Sequence, residues 1–427
     1  MEMRLNMKSE EASTETQMVI PNGYKLTELG EIPEDWQCVR LGEIGQCIIG
    51  LTYSPRNVSD SGVLVLRSSN VRNGKLAYQD NVFVNMELPE RVIVKEGDIL
   101  ICVRNGSRQL IGKCALIDQK AEGFAFGAFM SIYRTSAHDY IFYQFQSDLI
   151  QNQINETMGA TINQITNKDL SGFKIPIPIC VKEQKAIANV LSDTDALLTG
   201  LEQLITKKQA IKTATMQQLL TGRIRLTQFA KHPDGTIKGY KSSDLGHIPE
   251  DWEEREIGQF APLQRGFDLP ASKRSEGLYP VVYSNGIVNT HNHFQVKGPG
   301  VVTGRSGTLG KVHHIECDFW PHNTSLWVTK FINSDSKFVY YIFKYIGFER
   351  FASGSGVPTL NRNDAHSFKV AIPSSLKEQT AIATVLSDMD AELVTLEKKL
   401  AKVRDIKQGM MQQLLTGRIR LSLDHQP

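Results

Sequence analysis

The chain has 427 residues, of which 41% are hydrophobic and 22% charged, enough for two or more domains with cores of their own. No apolar run approaches the ~18–20 residues of a membrane span, and the N-terminus lacks the apolar stretch of a signal peptide. The net charge of +2 leaves no global basic footprint, so any nucleic-acid surface must come from local arrangement.

In chain order, residues 1–22 are polar and rich in Glu, Ser and Thr, which predicts a flexible N-terminal segment. An entry segment follows, with Leu-Gly-Glu-Ile-Pro-Glu-Asp-Trp at 29–36. Residues 37–178 form a first block with β runs at 63–66 and 98–103, Gly and Asn turns at 73–74 and 105–106, and helical sequence near 138–157. A long helix is expected over 182–226. The entry motif then returns as Leu-Gly-His-Ile-Pro-Glu-Asp-Trp at 245–252. A second block, 253–373, has strands at 279–283, 300–303 and 325–328 and a helix over 336–350. The long helix returns at 377–421, offset by 195 residues without a gap and identical at 29 of 45 positions. The ends of the blocks also match, from Gly159 to Pro178 and from Gly354 to Pro373, while their interiors barely do. The fold class is therefore α+β: two α/β domains (23–178 and 227–373), each followed by a long helix (179–226 and 374–427), with pseudo-two-fold organisation.

The second long helix places apolar residues at Ile382, Leu386, Met389, Leu393, Leu396, Leu400, Val403, Ile406, Met410 and Leu414, a seam near the 3.5-residue period of a coiled coil. The first copy has Ile187, Leu191, Leu198, Leu201, Ile205, Ile211 and Leu219, with Thr194, Lys208 and Thr215 interrupting. The helices either serve separate bundles or pair with each other as an antiparallel coiled coil, with the polar residues helping to fix register. Ser375 and Glu378 have capping-box spacing, and Gly417 is a natural left-handed stop.

Candidate nucleic-acid contacts in the first block are Arg67, Ser68, Ser69, Asn70, Arg72, Arg104, Asn105, Ser107, Arg108 and Lys113. The second block offers Tyr283, Ser284, Asn285, Arg305, Ser306, Thr308 and Lys311. Arg and Lys suit guanine O6/N7, Asn suits adenine N6/N7, and Gly-rich loops let backbone N–H groups approach phosphates. Polar hairpin loops with no such role have the same composition. The repeated Gly-Arg-Ile-Arg gives Arg223, Arg225, Arg418 and Arg420, which are either cations following a helix C-terminus or a partner contact made twice.

Enzyme-like signals are weak. Residues 304–311 miss the P-loop glycine spacing, and Val312 stands where Ser or Thr is required. His291, His293, His313, His314, His322 and Cys317 lack metal-ligand spacing, so no metal and no catalytic residue is assigned. The six cysteines contain no CxxC and suit reduced thiols in the cytoplasm.

Two LGxIPEDW entries, two KEQxAIAxVLSDxDA helices and two QQLLTGRIRL exits together resemble the specificity subunit of type I restriction-modification systems. The resemblance implies that 37–178 and 253–373 are target recognition domains for a bipartite, asymmetric DNA site, and that the long helices are spacers docking two modification subunits. It also implies that S-adenosylmethionine belongs to those subunits, and ATP and Mg to restriction subunits, so this chain is a non-catalytic reader. The alternative is a stand-alone coiled-coil DNA-binding regulator that needs no methyltransferase partner.

Overall fold

A computed structural model describes residues 20–159, 163–353 and 358–422. The expected flexible segment 1–22 lies outside these residues except for its last three, and so does Gly354 of the repeated block ending. The chain divides into two compact units, residues 1–199 with 401–427 and residues 200–400. The unit boundaries fall inside both long helices, so each unit holds one block, one entry hairpin and half of each helix.

In the first unit the entry is a hairpin of Tyr24–Thr27 and Gly30–Pro33, followed by strand Trp36–Arg40, which pairs antiparallel with Lys174–Pro178. The block is built on a four-stranded antiparallel sheet in the order Cys114–Leu116, Ile99–Cys102, Met130–Arg134, Gln46–Ile49. Ile99–Cys102 is an unbroken apolar run, and it is buried throughout as an interior strand should be. A smaller sheet contains Val63–Leu66 beside the parallel Ala125–Phe126. The helical stretch near 138–157 is two helices, His138–Gln146 and Asp148–Thr157. Ser147 is extended between them, and its hydroxyl caps the second by accepting from Ile150 N.

The second unit has the same plan in different residues. Hairpin Tyr240–Ser243/Gly246–Pro249 precedes Trp252–Glu256, which pairs with Lys369–Pro373. The main sheet runs Val312–Ile315, Gly300–Gly304, Ser325–Val328, Leu263–Arg265. In both sheets the block's first strand is an edge beside its fourth, followed by its second and then its third. Two blocks that barely share sequence thus share one strand order, because buried runs between turns specify a sheet without fixing which side chains fill it. Helix Ser336–Ile346 stops at Gly347, whose φ is 71°, and a short turn Phe348–Phe351 completes the expected helical stretch.

The long helices are Val181–Leu220 and Leu376–Leu414. In the first unit Asp195 pairs with Lys407; in the second, Asp390 pairs with Lys212 and Glu392 with Lys208. Residue numbers rise on one helix as they fall on the other, so the helices pair antiparallel. Ile187, Leu191, Leu201, Leu219, Ile382, Leu386, Leu393, Val403 and Leu414 are buried, and Leu198, Ile205, Met389, Leu396, Leu400 and Met410 are half-buried. Ile211 and Ile406 are corrections to the expected seam: they are 42% and 46% exposed. Their neighbours Lys212 and Lys407 point inward instead, because a 3.6-residue turn drifts from a 3.5-residue pattern and each lysine has an aspartate to meet. The capping box is also corrected. Glu378 N donates to the Ser375 carbonyl, but its carboxylate is buried against Arg225.

Candidate nucleic-acid interface and its frame

The repeated motifs meet at one structural node in each unit. In the first, Arg420 binds Asp35 through both Nη atoms at 2.8 Å and reaches Glu183 at 2.5 and 2.8 Å, with its guanidinium 5.8 Å from the centre of the buried Trp36 ring. In the second, Arg225 binds Asp251 at 2.8 and 3.1 Å and Glu378 at 3.0 and 2.6 Å, and Lys238 joins Asp251 at 2.7 Å. The Asp of IPEDW, the Glu of KEQ and the second Arg of GRIR are thus one constellation made twice. Gln184 and Gln379 of KEQ donate to the carbonyls of Pro178 and Pro373 at 2.8 Å. Hydrogen bonds from Arg420 hold the Asp35 carboxyl below its ordinary value. Burial pushes Asp251 up, but Lys238 and Arg225 together keep it below.

Glycine is required at the helix exits. Gly222 and Gly417 have φ of 68° and 74°, and a Cβ there would sit 2.6 and 2.5 Å from Pro249 and Pro33 of the entry motifs. Tyr240 and Tyr24 donate to the carbonyls of these two glycines at 3.1 and 3.0 Å. The docking assignment therefore changes for Arg225 and Arg420: their guanidiniums are consumed inside the frame. Arg223 and Arg418 are exposed. Arg223 lines a cavity of about 750 Å³ with Tyr240, Leu245 and Tyr345, and Arg418 lines one of about 260 Å³ with Tyr24, Leu29 and Leu149.

In the first block the structure gathers Ser68, Arg104, Asn105 and Ser107. Asn105 donates to Ser68 Oγ at 3.0 Å and accepts from Ser107 N at 3.0 Å. Its backbone N donates to the Asn163 carbonyl, and the Asn163 amide donates to the Gly106 carbonyl at 3.0 Å. Arg104 is exposed, its guanidinium 5.1 Å from the centre of the Phe129 ring, itself 56% exposed. Phe129 and Asn163 were missed by sequence reading. The sequence carried no signal for either: Phe129 lies 25 residues from Arg104, and its exposure and the approach of the guanidinium emerge only in the fold.

Other candidates stand apart. Asn70 is fully buried, with its amide donating to the carbonyls of Ala77 and Asp80 and to Asn81, and its oxygen accepting from Arg67 N; it is a turn-holding residue with nothing left for a base. Arg67 is paired with Asp80 at 3.1 Å, and Arg108 donates to the Asn155 carbonyl. Exposed Arg72 is on the Val71–Arg72/Lys75–Leu76 hairpin, whose Lys75 bonds Thr199 on the first long helix. Lys113 is exposed next to Gly112, where a Cβ would meet Gln151 and Ile154, away from the Asn105 group.

The second block uses the same loop construction. Ile165 N donates to the Val103 carbonyl, and Leu360 N to the Arg305 carbonyl; Asn105 N donates to Asn163 O, and Gly307 N to Pro358 O. Arg305 therefore occupies the place of Val103, and Ser306 that of Arg104. The backbone N–H groups of both Arg305 and Ser306 donate to the Thr324 carbonyl, and Thr324 Oγ1 accepts from Ser284 N. Tyr283 stacks on His322 at 4.1 Å, Asn285 is exposed, and Thr308 is half-buried under the turn at Gly304. Lys311 is exposed while its carbonyl accepts from Thr303 Oγ1. Burial lowers the His322 pKa, so its ring presents a neutral hydrogen-bonding edge. His322 and Thr324 were not among the expected contacts. Among the described residues no group of three His, Cys, Asp or Glu side chains is placed to hold a metal ion.

One scaffold thus carries two loops of different chemistry, bridged in the same way, inside a frame that repeats almost residue for residue. A protein-family model, the type I restriction modification DNA specificity domain, matches residues 33–213 and again residues 249–403. The chain belongs to this family. It is 27% identical over 426 residues to the putative type I restriction enzyme MjaX specificity subunit of Methanocaldococcus jannaschii, covering 93% of this chain and 97% of that one. Its fold is shared with the S subunit of a type I restriction-modification system from M. genitalium, with a TM-score of 0.59 at 18% identity over 92% of this chain and 98% of that one. A second chain of like fold, TM-score 0.54 at 15% identity, comes from work on complex assembly and conformational transition of the type I R-M system and is matched over 91% of this chain and 99% of that one. None of these supports a stand-alone regulator. No described helix is long and apolar enough to cross a membrane.

Proposed function

We propose that this chain is the sequence-reading, non-catalytic subunit of a cytoplasmic type I restriction-modification complex. Each block reads one half of a bipartite, asymmetric DNA site, and the paired long helices set the half-sites apart. The observation that carries this reading is a duplicated frame holding two unlike loops on one strand order. A symmetric target would need the same reader twice, whereas Arg104-Asn105 of the first block is matched by Ser306-Gly307 of the second, and Arg305 stands where the first block has Val103. Arg104, Asn105, Ser107 and Ser68, with Phe129 beside them, are the contact group in the first block. Tyr283, Asn285, Arg305, Ser306, Thr308 and Lys311, with His322, are that in the second.

Two modification subunits bearing S-adenosylmethionine, and restriction subunits using ATP and Mg, supply the chemistry in this reading. Exposed Arg223 and Arg418, each beside an apolar hollow in its own unit, are the partner contacts within the exit motif. The test incubates the pure chain with DNA and labelled S-adenosylmethionine, with and without a co-expressed modification subunit. Label is expected on adenine only with the partner. Methylation by the chain alone, or failure to bind any modification subunit, would overturn the proposal.

A further inference from the structure

A second constellation is also made twice, and neither the reading loops nor the exit motifs use it. In the first unit, Lys407 Nζ lies 2.7 Å from Asp195 Oδ1, and Tyr143 OH donates to Asp195 Oδ2 at 3.1 Å. The ammonium is also 5.4 Å from the centre of the Tyr143 ring and 3.5 Å from Gln146 Oε1. In the second unit Lys212 pairs with Asp390 Oδ1, and Tyr341 OH donates to Asp390 Oδ2 at 2.8 Å. The lysine side chains are 14% and 8% exposed. Asp195 and Asp390, like Lys212 and Lys407, stand at the 195-residue repeat offset. Each triad therefore takes its Asp from one long helix, its Lys from the other and its Tyr from a recognition-block helix.

We infer that these triads are the positioning residues that fix the register of the antiparallel helix pair and key each recognition block to it; this rests on the spacer reading above. Leucine and isoleucine at a near-heptad period pack almost as well after a slip of seven residues, so apolar contact alone selects register weakly. A buried lysine adds selection: a slip of seven residues one way sets Lys407 opposite Ala188 and Lys212 opposite Ala383, away from their aspartates, while the other way sets them opposite Glu202 and Glu397 without the tyrosine hydroxyl that each native aspartate accepts. The tyrosine adds a third attachment: its hydroxyl reaches the aspartate only when the block sits at one height along the helix. A slip of seven residues moves a helix ~10 Å at ~1.5 Å per residue. At ~3.4 Å per base pair this changes half-site separation by about three base pairs.

The test uses the full chain with all four charged positions made apolar (Lys212→Met, Asp390→Leu, Asp195→Leu and Lys407→Met), and a charge-swapped control, Lys212→Asp with Asp390→Lys. A photo-crosslinking amino acid at the exposed Ile211 reports, by peptide mass mapping, which turn of the second helix it faces. In the native chain and the swapped control, adducts are expected only in the turn around Asp390–Val394. In the apolar variant they are expected also one heptad away on either side. Adducts confined to the native turn in the apolar variant would overturn the inference, as would heptad-shifted adducts in the control. The same proteins, assembled with a modification subunit, are then assayed on DNA with varied spacer length. The apolar variant is expected to accept spacers about three base pairs away from the native length, with half-site sequences unchanged. Shifted adducts with native spacer preference would leave the register device standing and refute the ruler reading instead.

Discussion

Removing the exit-motif arginines should separate the two frames by the burial of what each leaves behind. The Arg225 side chain is 5% exposed and its partner Glu378 3%, while Arg420 is 40% exposed beside a 2% exposed Glu183. Arg225→Ala strands Glu378, leaves Asp251 with Lys238 alone, and opens a space that water cannot easily fill. Breaking one partner out of such a buried pair costs about 3–5 kcal/mol. In Arg420→Ala, water reaches the vacated site and Asp35 is already solvated, so the loss is nearer that of charged hydrogen bonds, about 1.5–3 kcal/mol. Urea titration followed by tryptophan fluorescence reports on both nodes, because Trp36 and Trp252 are buried one in each frame. A loss under ~1 kcal/mol for Arg225→Ala, or a larger loss for Arg420→Ala, would refute the burial reasoning.

Gly222→Ala and Gly417→Ala should each cost ~1 kcal/mol for the left-handed backbone and ~1–3 kcal/mol more for overpacking against proline, read as a lowered urea midpoint. Arg104→Ala should weaken specific DNA binding by ~1–3 kcal/mol and relax one base position if it meets a base; if it meets a phosphate, all sequences should weaken equally and the salt slope flatten. Binding across a panel of single-base variants at several salt concentrations separates these outcomes, and Asn70→Ala in the same assay should lower stability while leaving sequence preference intact. Asp35 has its pKa held below the ordinary 3.8 by Arg420, so its contribution is present above that value and is lost as pH falls through the lower, folded value. Asp35→Asn should therefore lower stability at neutral pH and flatten its fall in acid, as measured by thermal unfolding from pH 7 downward.

The frame was legible because its residues recur as strings: IPEDW, KEQ and GRIR could be matched without knowing what they touch. Strands at 63–66, 99–102 and 300–304 were legible from β-branched runs between turn residues. What the sequence hid was the direction each side chain faces. Arg223 and Arg225 are two residues apart on one exit, and only the fold shows that the second is consumed by Asp251 and Glu378. Apolarity placed Ile211 and Ile406 in the seam, yet the adjacent lysines are the ones buried, since a long aliphatic stem with a paired head group fills such a position well. Asn70 looked like a reader because Asn is an adenine partner, but its hydrogen-bonding capacity is spent on a turn whose other members lie 7 to 11 residues away.

The first frame node joins residues that the ribosome delivers far apart. Arg420 follows Asp35 by 385 positions and Glu183 by 237. Met411, Leu414 and Leu415 belong to the same core as Trp36 and Leu191. At ~5–20 residues per second, Glu183 waits roughly 12–50 s for its arginine during synthesis. Throughout that interval the N-terminal block has its sheet but lacks its closing helix, leaving an acidic and apolar face open to chaperones or to another nascent chain. The second node needs nothing beyond Glu378, so the block made later can close first.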